Sequence, residues 1–379
     1  MNVLLVSNYF NHHQKSLCTA ILKQGDRLSF VETDDTHQQG YQTRLQESYV
    51  IQYRGNEKAI EEQIQAADVV IFGACPNHLI ALRMAENKLS FLYSERFFKK
   101  GTWRRFIPQT RKNVTERIVQ YKDKRLYALC ASAFLPYDLK LLGFLPEKCF
   151  RWGYFPENKT YQIADLCAKK DRRRIMWAGR FLDWKHPDDA LQIAKRLKDA
   201  GNDFHMDIVG TGEMETQLKG MADNMDLREC VTFLGSMPPD EVRGLMEQAG
   251  IYLFTSDRNE GWGAVLNESM NSGCAVVASH VIGSVPYLMK HRENGLIYKS
   301  GDVDGLYAHV KYLLDNPGEQ ERLGRAAYET ITGLWNAEIA AQRLIALSEH
   351  LLAGEKYPDL FEDGPCSRAE IVKDNWFCE

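Results

Sequence analysis

The sequence predicts an α/β protein made of two doubly wound, Rossmann-like domains. Short and continuously apolar stretches, such as VVIFGA and YALCASA, alternate with segments of helical periodicity. Continuous apolar runs are typical of strands that are buried on both faces of a parallel sheet. The same alternation starts again at RIMWAG, after a polar and charged stretch over residues 156–173. The 379 residues are enough for two domains of ordinary size.

The elements follow one another in a regular order. In the first half, we expect strands at VLLVS, VVIFGA, LSFLYSE and YALCASA, with helices over residues 15–24 and 78–87. In the second half, we expect strands at RIMWAG, DFHMDIVG, VTFLG, IYLFTS, CAVVAS and NGLIY. Helices are expected between them over residues 187–200, 213–225, 239–249, 265–272, 303–314 and 318–331. A last helix over residues 336–353 precedes a polar tail that either packs on the surface or frays. The predicted domains are residues 1–160 and 161–335, followed by a closing segment at 336–379.

Composition and charge narrow the functional class. The net charge of −4 and the pI near 6.2 argue against a protein whose main partner is nucleic acid. No run of 18 apolar residues occurs, and the first residues, MNVLLVSNYF, read as a core strand rather than a signal peptide. Nine cysteines without a CxxC pair suggest small buried side chains in a reducing compartment and no structural zinc site. We therefore expect a cytoplasmic protein.

One stretch, NEGWGAVLNESMNSG, carries two carboxylates eight residues apart. The preceding strand ends near Ser256 and a helix opens near Gly263, so Glu260 lies in a loop and Glu268 about one turn inside the helix. Eight helical residues rise ~12 Å, so the two carboxylates suit the two ends of an extended ligand. Free amides at the start of the helix suit a phosphate between them, as in a nucleotide-sugar. The alternative is a solvated loop acid at Glu260 and a surface ion pair at Glu268.

Three further segments occur in the same order as in a known family. WAGRFLDWKH places Arg180 and Lys185 after a strand, IVGTGEMETQL contains Gly210 and Gly212, and VTFLGSMPPDEV contains Phe233 and Leu234. Together with Glu260 and Glu268, they resemble the motifs of retaining glycosyltransferases of family 4, whose signature is Glu-x7-Glu and whose fold is GT-B. GLWNAEIAAQRL resembles the tryptophan that begins the last helix of that family, which crosses back to the first domain. The resemblance covers residues 174–352.

The resemblance implies two domains that face a central cleft, with the acceptor bound by the first and the donor by the second. Glu260 would contact hydroxyls of the donor sugar, and Glu268 would contact the ribose. Arg180 and Lys185 would neutralise charge on the leaving diphosphate, so that no metal or cofactor is needed. The alternative for these two cations is a solvated pair near the next helix. The remaining donor-binding positions implied by the resemblance are Gly210, Gly212, Phe233, Leu234, Gly261, Trp262, Gly263, Ala264 and Val265.

The first half departs from the family pattern. Its first loop is NYFNHHQKS, where many members carry two glycines. Asn11, His12 and His13 lie in this predicted loop and are candidates for acceptor binding or, for the histidines, for a general base. Asn11 could equally meet the donor phosphate. Glu95, after the strand FLYS, is the candidate for an acceptor-side carboxylate.

A basic and aromatic segment follows Glu95. It contains no acid between its first and last cations, and its residues are Arg96, Phe97, Phe98, Lys99, Lys100, Trp103, Arg104, Arg105, Phe106, Arg111 and Lys112. Such a segment can rest on an anionic membrane, which would suit a lipid-linked acceptor, or bind an acidic glycan. It can also be an ordinary solvated loop.

The resulting prediction is a metal-independent, retaining glycosyltransferase that uses a UDP-, GDP- or other nucleoside-diphosphate sugar. The acceptor would be a glycan, a glycolipid or another lipid-linked or protein hydroxyl, as in polysaccharide biosynthesis. The protein would be cytoplasmic, with peripheral membrane contact. Two alternatives stay open: another GT-B enzyme, such as an epimerase or a phosphorylase, and a non-catalytic nucleotide-sugar-binding protein. A dinucleotide dehydrogenase is disfavoured, because no G-x-G-x-x-G follows either first strand.

Overall fold

The computed structural model describes residues 1–34, 45 and 47–377. Their contacts divide the chain into two compact units. The first unit is Met1–Glu157 with Trp335–Lys373, and the second is Asn158–Leu334 with Asp374–Glu379. The divide falls after Glu157, whereas the predicted first domain ends at residue 160. The closing segment expected at residues 336–379 is shared between the two units.

The first unit contains a seven-stranded parallel sheet in the order β3-β2-β1-β4-β5-β6-β7. Its strands are β1 (Asn2–Ser7), β2 (Arg27–Glu32), β3 (Val50–Gln52), β4 (Val69–Phe72), β5 (Ser90–Ser94), β6 (Leu126–Cys130) and β7 (Cys149–Arg151). Its helices are α1 (His12–Lys23), α2 (Glu57–Ala66), α3 (Asn77–Ala85), α4 (Pro108–Arg117), α5 (Leu135–Lys140) and α14 (Ala337–Leu352).

The central strands of this sheet are apolar throughout because helices cover both faces. Every residue of β4 and of β6 is buried. β2, β3 and α2 were not expected from the sequence. β2 reads RLSFVE, with polar residues among apolar ones, and β3 has only three residues, so neither shows the continuous apolar run of a central strand.

The second unit contains a six-stranded parallel sheet in the order β10-β9-β8-β11-β12-β13. Its strands are β8 (Asp171–Ala178), β9 (His205–Val209), β10 (Val231–Gly235), β11 (Ala249–Phe254), β12 (Ala275–Ser279) and β13 (Leu296–Tyr298). Its helices are α6 (Ile163–Ala168), α7 (Pro187–Asp199), α8 (Glu215–Asn224), α9 (Pro239–Gln248), α10 (Val265–Asn271), α11 (Val285–Leu288), α12 (Val303–Asp315) and α13 (Pro317–Gly333).

In both sheets, the order in which successive strands are added reverses next to the first strand. The order turns between β1 and β4 in the first unit, and between β8 and β11 in the second. In doubly wound sheets, ligands bind beyond the carboxyl ends of the strands at this switch point. The fold therefore brings together residues 8–11 with 73–76, and, in the other unit, residues 179–186 with 255–264.

The C-terminal region continues the first unit. Asn336 caps α14, since its side chain accepts a hydrogen bond from the Ile339 amide at 2.9 Å. α14 packs against α1, and the chain then runs antiparallel to β7. There, the Cys366 amide donates to the Arg151 carbonyl, and the Arg151 amide donates to the Ser367 carbonyl, both at 2.8 Å. The part of the tail before residue 374 thus extends the edge of the sheet.

Two broader expectations concern the whole chain. Among the described residues, no helix is long and apolar enough to cross a membrane. Eight described cysteines are free and six of them are buried, as expected for small core side chains, while Cys378 lies outside the described residues. Burial raises the pKa of Cys274 and Cys366, which keeps both thiols protonated.

Candidate functional site

Two loops of the second unit are tied together at the switch point of its sheet. The Thr255 hydroxyl, just after β11, donates to the Lys185 carbonyl at 2.7 Å and accepts from the Trp177 indole at 2.8 Å. The Asp257 amide donates to the Trp184 carbonyl at 2.9 Å. These bonds align the loop after β8 with the loop after β11, so that side chains 75 positions apart in sequence can meet.

Lys185 and Glu260 are the side chains that meet there. The ammonium of Lys185 lies 2.6 Å from the Glu260 carboxylate, and the Ser256 hydroxyl donates to the same oxygen at 3.0 Å. The two side chains are only 14% and 12% exposed. Glu260 is therefore not a solvated loop acid. A ligand in this site would have to share Lys185 with Glu260, which brings a phosphate and the group held by the carboxylate close to each other.

Arg180 has a different environment from Lys185. Its side chain is exposed at the beginning of the loop that follows β8. Within the described part of the chain, no carboxylate lies at ion-pair distance from its guanidinium group. The two cations therefore differ in freedom: Lys185 is fixed by its ion pair, while Arg180 can move to meet an anion.

The Gly-Trp-Gly turn, residues 261–263, is fixed by the burial of its tryptophan. Trp262 is fully buried, and its indole donates to the Asn267 side chain at 2.9 Å. Gly263 has a φ of +82°, and a Cβ there would lie 2.3 Å from the ring of Phe254. Trp262 can therefore meet a ligand only through its backbone, and position 263 requires glycine.

The residues after this turn offer unused donors. The amides of Gly263, Ala264 and Val265 have no hydrogen-bond acceptor among the described residues. α10 has seven residues, close to the span predicted at 265–272, and so short a helix has a weak dipole. The free amides, rather than a long helix, are what this turn presents.

Glu268 lies in α10 and is partly exposed. It forms no side-chain hydrogen bond within the described residues, so the expected alternative of a surface ion pair does not hold. Burial raises the pKa of Glu268, and the nearby positive charge of Arg243 offsets part of that rise. The carboxylate is poorly hydrated and has free acceptor positions, which suits a ligand that brings hydroxyl donors.

The two glycines of the IVGTGE segment pack against the loop after β8. Gly210 has a φ of +134°, and a Cβ there would lie 1.9 Å from the Gly179 carbonyl. Gly212 has a φ of +156°, and its Cβ would lie 2.6 Å from the Phe181 carbonyl. α8 begins only after these glycines. They are thus required by close backbone packing beside Arg180, in addition to any contact with a ligand.

The other two predicted donor-binding residues lie in β10. Phe233 and Leu234 are both half-buried. The ring of Phe233 packs edge-to-face on Phe181, with centroids 6.3 Å apart. Phe181 follows Arg180 directly, so this strand end borders the same loop.

The switch point of the first unit forms a separate cavity of about 770 Å³. Glu95, after β5, is the carboxylate in it. The Tyr154 hydroxyl and the Lys99 ammonium each donate to Glu95 at 2.6 Å. Tyr154 stacks on His13 with an interplanar angle of 10°, and Tyr93 meets it edge-on. Among the described residues, the cavity thus combines one carboxylate with several aromatic rings and with the cations Lys99 and Arg117.

The three candidates in the first loop occupy other positions than expected. His12 and His13 are not in a loop: they are the first residues of α1. Asn11 is the cap of this helix, and its side-chain oxygen accepts from the amides of His13 and Gln14 at 3.0 and 3.3 Å. The sequence Asn-x-x-Gln is a capping box, which explains the early start of the helix. The oxygen of Asn11 is therefore committed to the backbone.

The histidines are also poor bases in this setting. Burial lowers the pKa of His13 to about 3, with a further contribution from His12, and burial lowers the pKa of His12 as well. His13 is thus neutral at physiological pH. Its Nδ1 is buried without a partner in the described residues, so it can accept a hydrogen bond from a ligand.

The basic and aromatic segment is only partly a surface patch. Arg96 and Phe98 are buried, and Arg96 pairs with Asp138 at 3.2 Å, with both side chains fully buried. Asp138 also accepts from the Phe98 amide at 2.9 Å. The beginning of the segment therefore fixes the loop that carries Glu95. The part at the surface is a patch made of half-buried Arg104 and Arg105 with exposed Lys100, Trp103, Phe106, Arg111 and Lys112.

Several residues of the first unit were not predicted. Tyr93 and Tyr154 line the cavity. Tyr93 lies at the end of β5 and Tyr154 lies just after β7, and such positions at the carboxyl ends of strands could have identified both residues. Asp138 could not have been found in this way, because it lies 42 positions from Arg96 in an unremarkable helix. Arg117 also lines the cavity, where its guanidinium donates to the Cys75 carbonyl at 2.9 Å.

Sequence comparisons relate the chain to glycosyltransferases. Residues 158–330 match the family model "Glycosyl transferases group 1". The chain is 27% identical over 298 residues to the amylovoran biosynthesis glycosyltransferase AmsK of Erwinia amylovora, covering 76% of this chain and 71% of AmsK. It is also 27% identical over 245 residues to a GDP-mannose-dependent mannosyltransferase of Corynebacterium glutamicum that acts on monoacylated phosphatidylinositol monomannoside. This second match covers 62% of this chain and 61% of that protein.

Solved structures share the fold of both units. The UDP complex of HepE from Anabaena superposes with a TM-score of 0.70 and 13% identity, over 93% of this chain and all of HepE. S. aureus TarM gives a TM-score of 0.58 with 14% identity, over 75% of this chain and 55% of TarM. The chain has the GT-B fold, and the sequence comparisons support a glycosyltransferase.

Proposed function

We propose that this chain is a retaining, metal-independent glycosyltransferase of the Glu-x7-Glu type that takes a nucleoside-diphosphate sugar. The observation that carries the proposal is the meeting of Lys185 and Glu260 at the switch point of the second unit, at 2.6 Å. A cation for phosphate and a carboxylate for sugar hydroxyls are thus side by side, as the junction between a diphosphate and a sugar requires. The match of residues 158–330 to glycosyltransferases supports the same assignment.

Each residue of the proposed donor site has a distinct task. Arg180 and Lys185 stabilise the negative charge that develops on the departing diphosphate. The free amides of Gly263 to Val265 add donors on the phosphate side. Glu268 accepts hydrogen bonds from the two ribose hydroxyls, for which its unpaired carboxylate is suited.

Glu260 acts as a ligand for the donor sugar rather than as a nucleophile. Its charge is already neutralised by Lys185 and its oxygen accepts from Ser256, and both interactions lower the nucleophilicity of the carboxylate. The leaving phosphate then takes the proton of the acceptor hydroxyl on the same face of the sugar, so the anomeric configuration is retained.

The acceptor in this proposal is a saccharide bound in the cavity of the first unit. Tyr93 and Tyr154 offer flat apolar faces for a sugar ring, while Glu95 and His13 Nδ1 accept hydrogen bonds from its hydroxyls. The relatives that act in amylovoran biosynthesis and on a phosphatidylinositol mannoside favour a lipid-linked glycan.

The exposed patch after Glu95 fits that acceptor. Trp103 and Phe106 are 58% and 70% exposed, and they flank Arg104 and Arg105 in the sequence. Aromatic side chains at the headgroup level and cations toward anionic lipid would hold the protein at the cytoplasmic face of a membrane.

The decisive experiment is donor screening followed by product analysis. UDP, GDP and other nucleoside diphosphates are titrated by calorimetry without added metal, and the matching sugars are offered with lipid-linked saccharide acceptors in EDTA. We expect one nucleotide to bind and its sugar to be transferred, with the anomeric configuration of the product read by NMR. Inversion, or a strict need for a divalent cation, would contradict the mechanism; binding without any transfer would favour a non-catalytic protein.

The membrane proposal has its own test. Replacing Trp103 and Phe106 by serine should lower co-sedimentation with anionic vesicles several-fold, because aromatic anchoring and charge act together. Leu352→Ser and Tyr357→Ser, two other exposed hydrophobic side chains of the first unit, serve as the control. Equal binding of both proteins would contradict the assignment.

A further inference from the structure

Four residues near the C-terminus, Asp374–Phe377, belong to the second unit and contact two of its loops. We call them the clasp. The Asp374 carboxylate pairs with the Arg258 guanidinium at 2.5 Å. The Trp376 indole donates to the His280 carbonyl at 3.0 Å. The residues just before the clasp belong to the first unit, so the chain changes unit at this point.

The two loops frame the donor site. Arg258 stands two positions before Glu260 in the loop after β11, and His280 directly follows β12. These loops also touch each other: the Ser284 hydroxyl donates to the Trp262 carbonyl at 2.6 Å, and the Gly283 amide donates to the Glu260 carbonyl at 3.4 Å. The clasp therefore joins two loops whose mutual position determines where Glu260 points.

His280 is fixed in one orientation. Its Nδ1 accepts from the Ser300 amide at 3.0 Å, so Nε2 carries the proton and donates to the Asp374 carbonyl at 3.1 Å. Burial lowers the pKa of His280, which favours this neutral form. The ring of Phe377 packs against His280 and His291, with centroids 6.2 and 5.4 Å away. Asn375, between the binding residues, is exposed.

We propose that the clasp is a positioning element of the donor site, which holds the loop carrying Glu260 in the geometry that binds the nucleotide-sugar. The Arg258–Asp374 pair is one-third exposed on each side, and such pairs contribute little to global stability. Its effect is therefore local: it limits the mobility of the two loops. The donor part of this inference rests on the proposed function; the effect on the loops does not.

The test compares the full chain with a variant that ends at Lys373 and with Asp374→Ala and Trp376→Ala. Asn375→Ala is the matched control inside the clasp. Hydrogen exchange of the ligand-free proteins is measured over residues 255–264 and 280–284. We expect faster exchange in these loops for the three clasp variants and no change for the control, with the rest of the second unit unaffected.

Steady-state kinetics supply the second measurement. Loosened loops should raise the donor KM about 5- to 20-fold, because the free energy needed to order the loop then reduces the free energy of donor binding. The acceptor KM should stay unchanged. Asp374→Glu should restore most of the loss, and so should Arg258→Asp combined with Asp374→Arg.

The outcomes separate the two proposals. Wild-type exchange in the loops of the truncated protein would overturn the clasp, as would a uniform rise in exchange with a lower melting temperature. Faster loop exchange with an unchanged donor KM would overturn its role in donor binding. If the wild-type protein binds no nucleoside diphosphate, the proposed function fails, and the exchange data alone still decide whether the clasp orders the loops.

Discussion

The two units of this chain have the same strand order around the switch point but different chemistry there. In the second unit, a cation and a carboxylate meet in a loop pair that is tied by backbone and hydroxyl bonds. In the first unit, a cation and a carboxylate also meet, since Lys99 lies 2.6 Å from Glu95, but there aromatic rings and a neutral histidine line the cavity with them. The comparison teaches that the fold determines where a ligand can bind, whereas the loops determine which ligand it is. We expect substitutions in the two units to separate donor binding from acceptor binding.

The largest effect is expected at the ion pair of the second unit. Lys185→Ala and Glu260→Gln should each lower kcat/KM by about 10³-fold, since each removes a charged group next to the reacting bonds. Both proteins should stay folded by circular dichroism. Lys198→Ala, which removes a surface ion pair with Asp226 in the same unit, should leave the rate unchanged. Wild-type turnover in either site variant would show that the site is elsewhere.

An intermediate effect is expected at the cavity of the first unit. Glu95→Gln and Tyr154→Phe should lower kcat or raise the acceptor KM by about 10²-fold, because they remove a hydrogen-bond acceptor and the hydroxyl that holds it. The affinity for the nucleoside diphosphate, measured by calorimetry, should not change. Glu86→Gln, at an exposed ion pair of the same unit, is the control. A weaker nucleotide affinity in Glu95→Gln would contradict the division of labour between the units.

The smallest effect is expected at Glu268, where one substitution should raise stability and weaken nucleotide binding. Its folded-state pKa is raised above the ordinary 4.5, so the stability associated with its protonated form is present below pH 4.5 and lost as the pH rises through the folded value. At neutral pH, Glu268→Gln should therefore raise the melting temperature while weakening nucleotide binding about tenfold.

Two comparisons check this prediction. The gain in melting temperature over wild type should vanish in acid, where Glu268 is itself protonated. Glu241→Gln, an exposed acid on α9, should change neither the melting temperature nor the nucleotide affinity. A lower melting temperature of Glu268→Gln at neutral pH would contradict the unfavourable burial of this carboxylate.

The sequence predicted the positions of the candidate site residues better in the second unit than in the first. The strands β11 and β12 of the second unit are nearly continuous apolar runs. Lys185 lies in the loop after β8, and Glu260 and Gly263 lie in the loop after β11, so the approach of these two loops follows from the topology. What could not be read was the ion pair itself, because the contact depends on how the Thr255 and Asp257 bonds align two loops.

In the first unit, one wrong prediction has a local cause and another has a tertiary cause. The Asn11 capping box starts α1 at His12, and a capping residue was misread as part of a loop. Arg96 looked like one more surface cation, although its partner Asp138 lies in a distant helix. Such pairings are set by tertiary packing, and no spacing in the sequence reveals them.

The antiparallel addition of residues 366–369 to β7 has a further consequence. β7 is the last strand of its sheet, and an outer strand with free amide and carbonyl groups is a template for pairing with another molecule. The Cys366, Ser367 and Ala369 backbones occupy those groups. The segment thus protects the protein against edge-to-edge aggregation, and a shortened chain that lacked it would be expected to self-associate even if each remaining element folded.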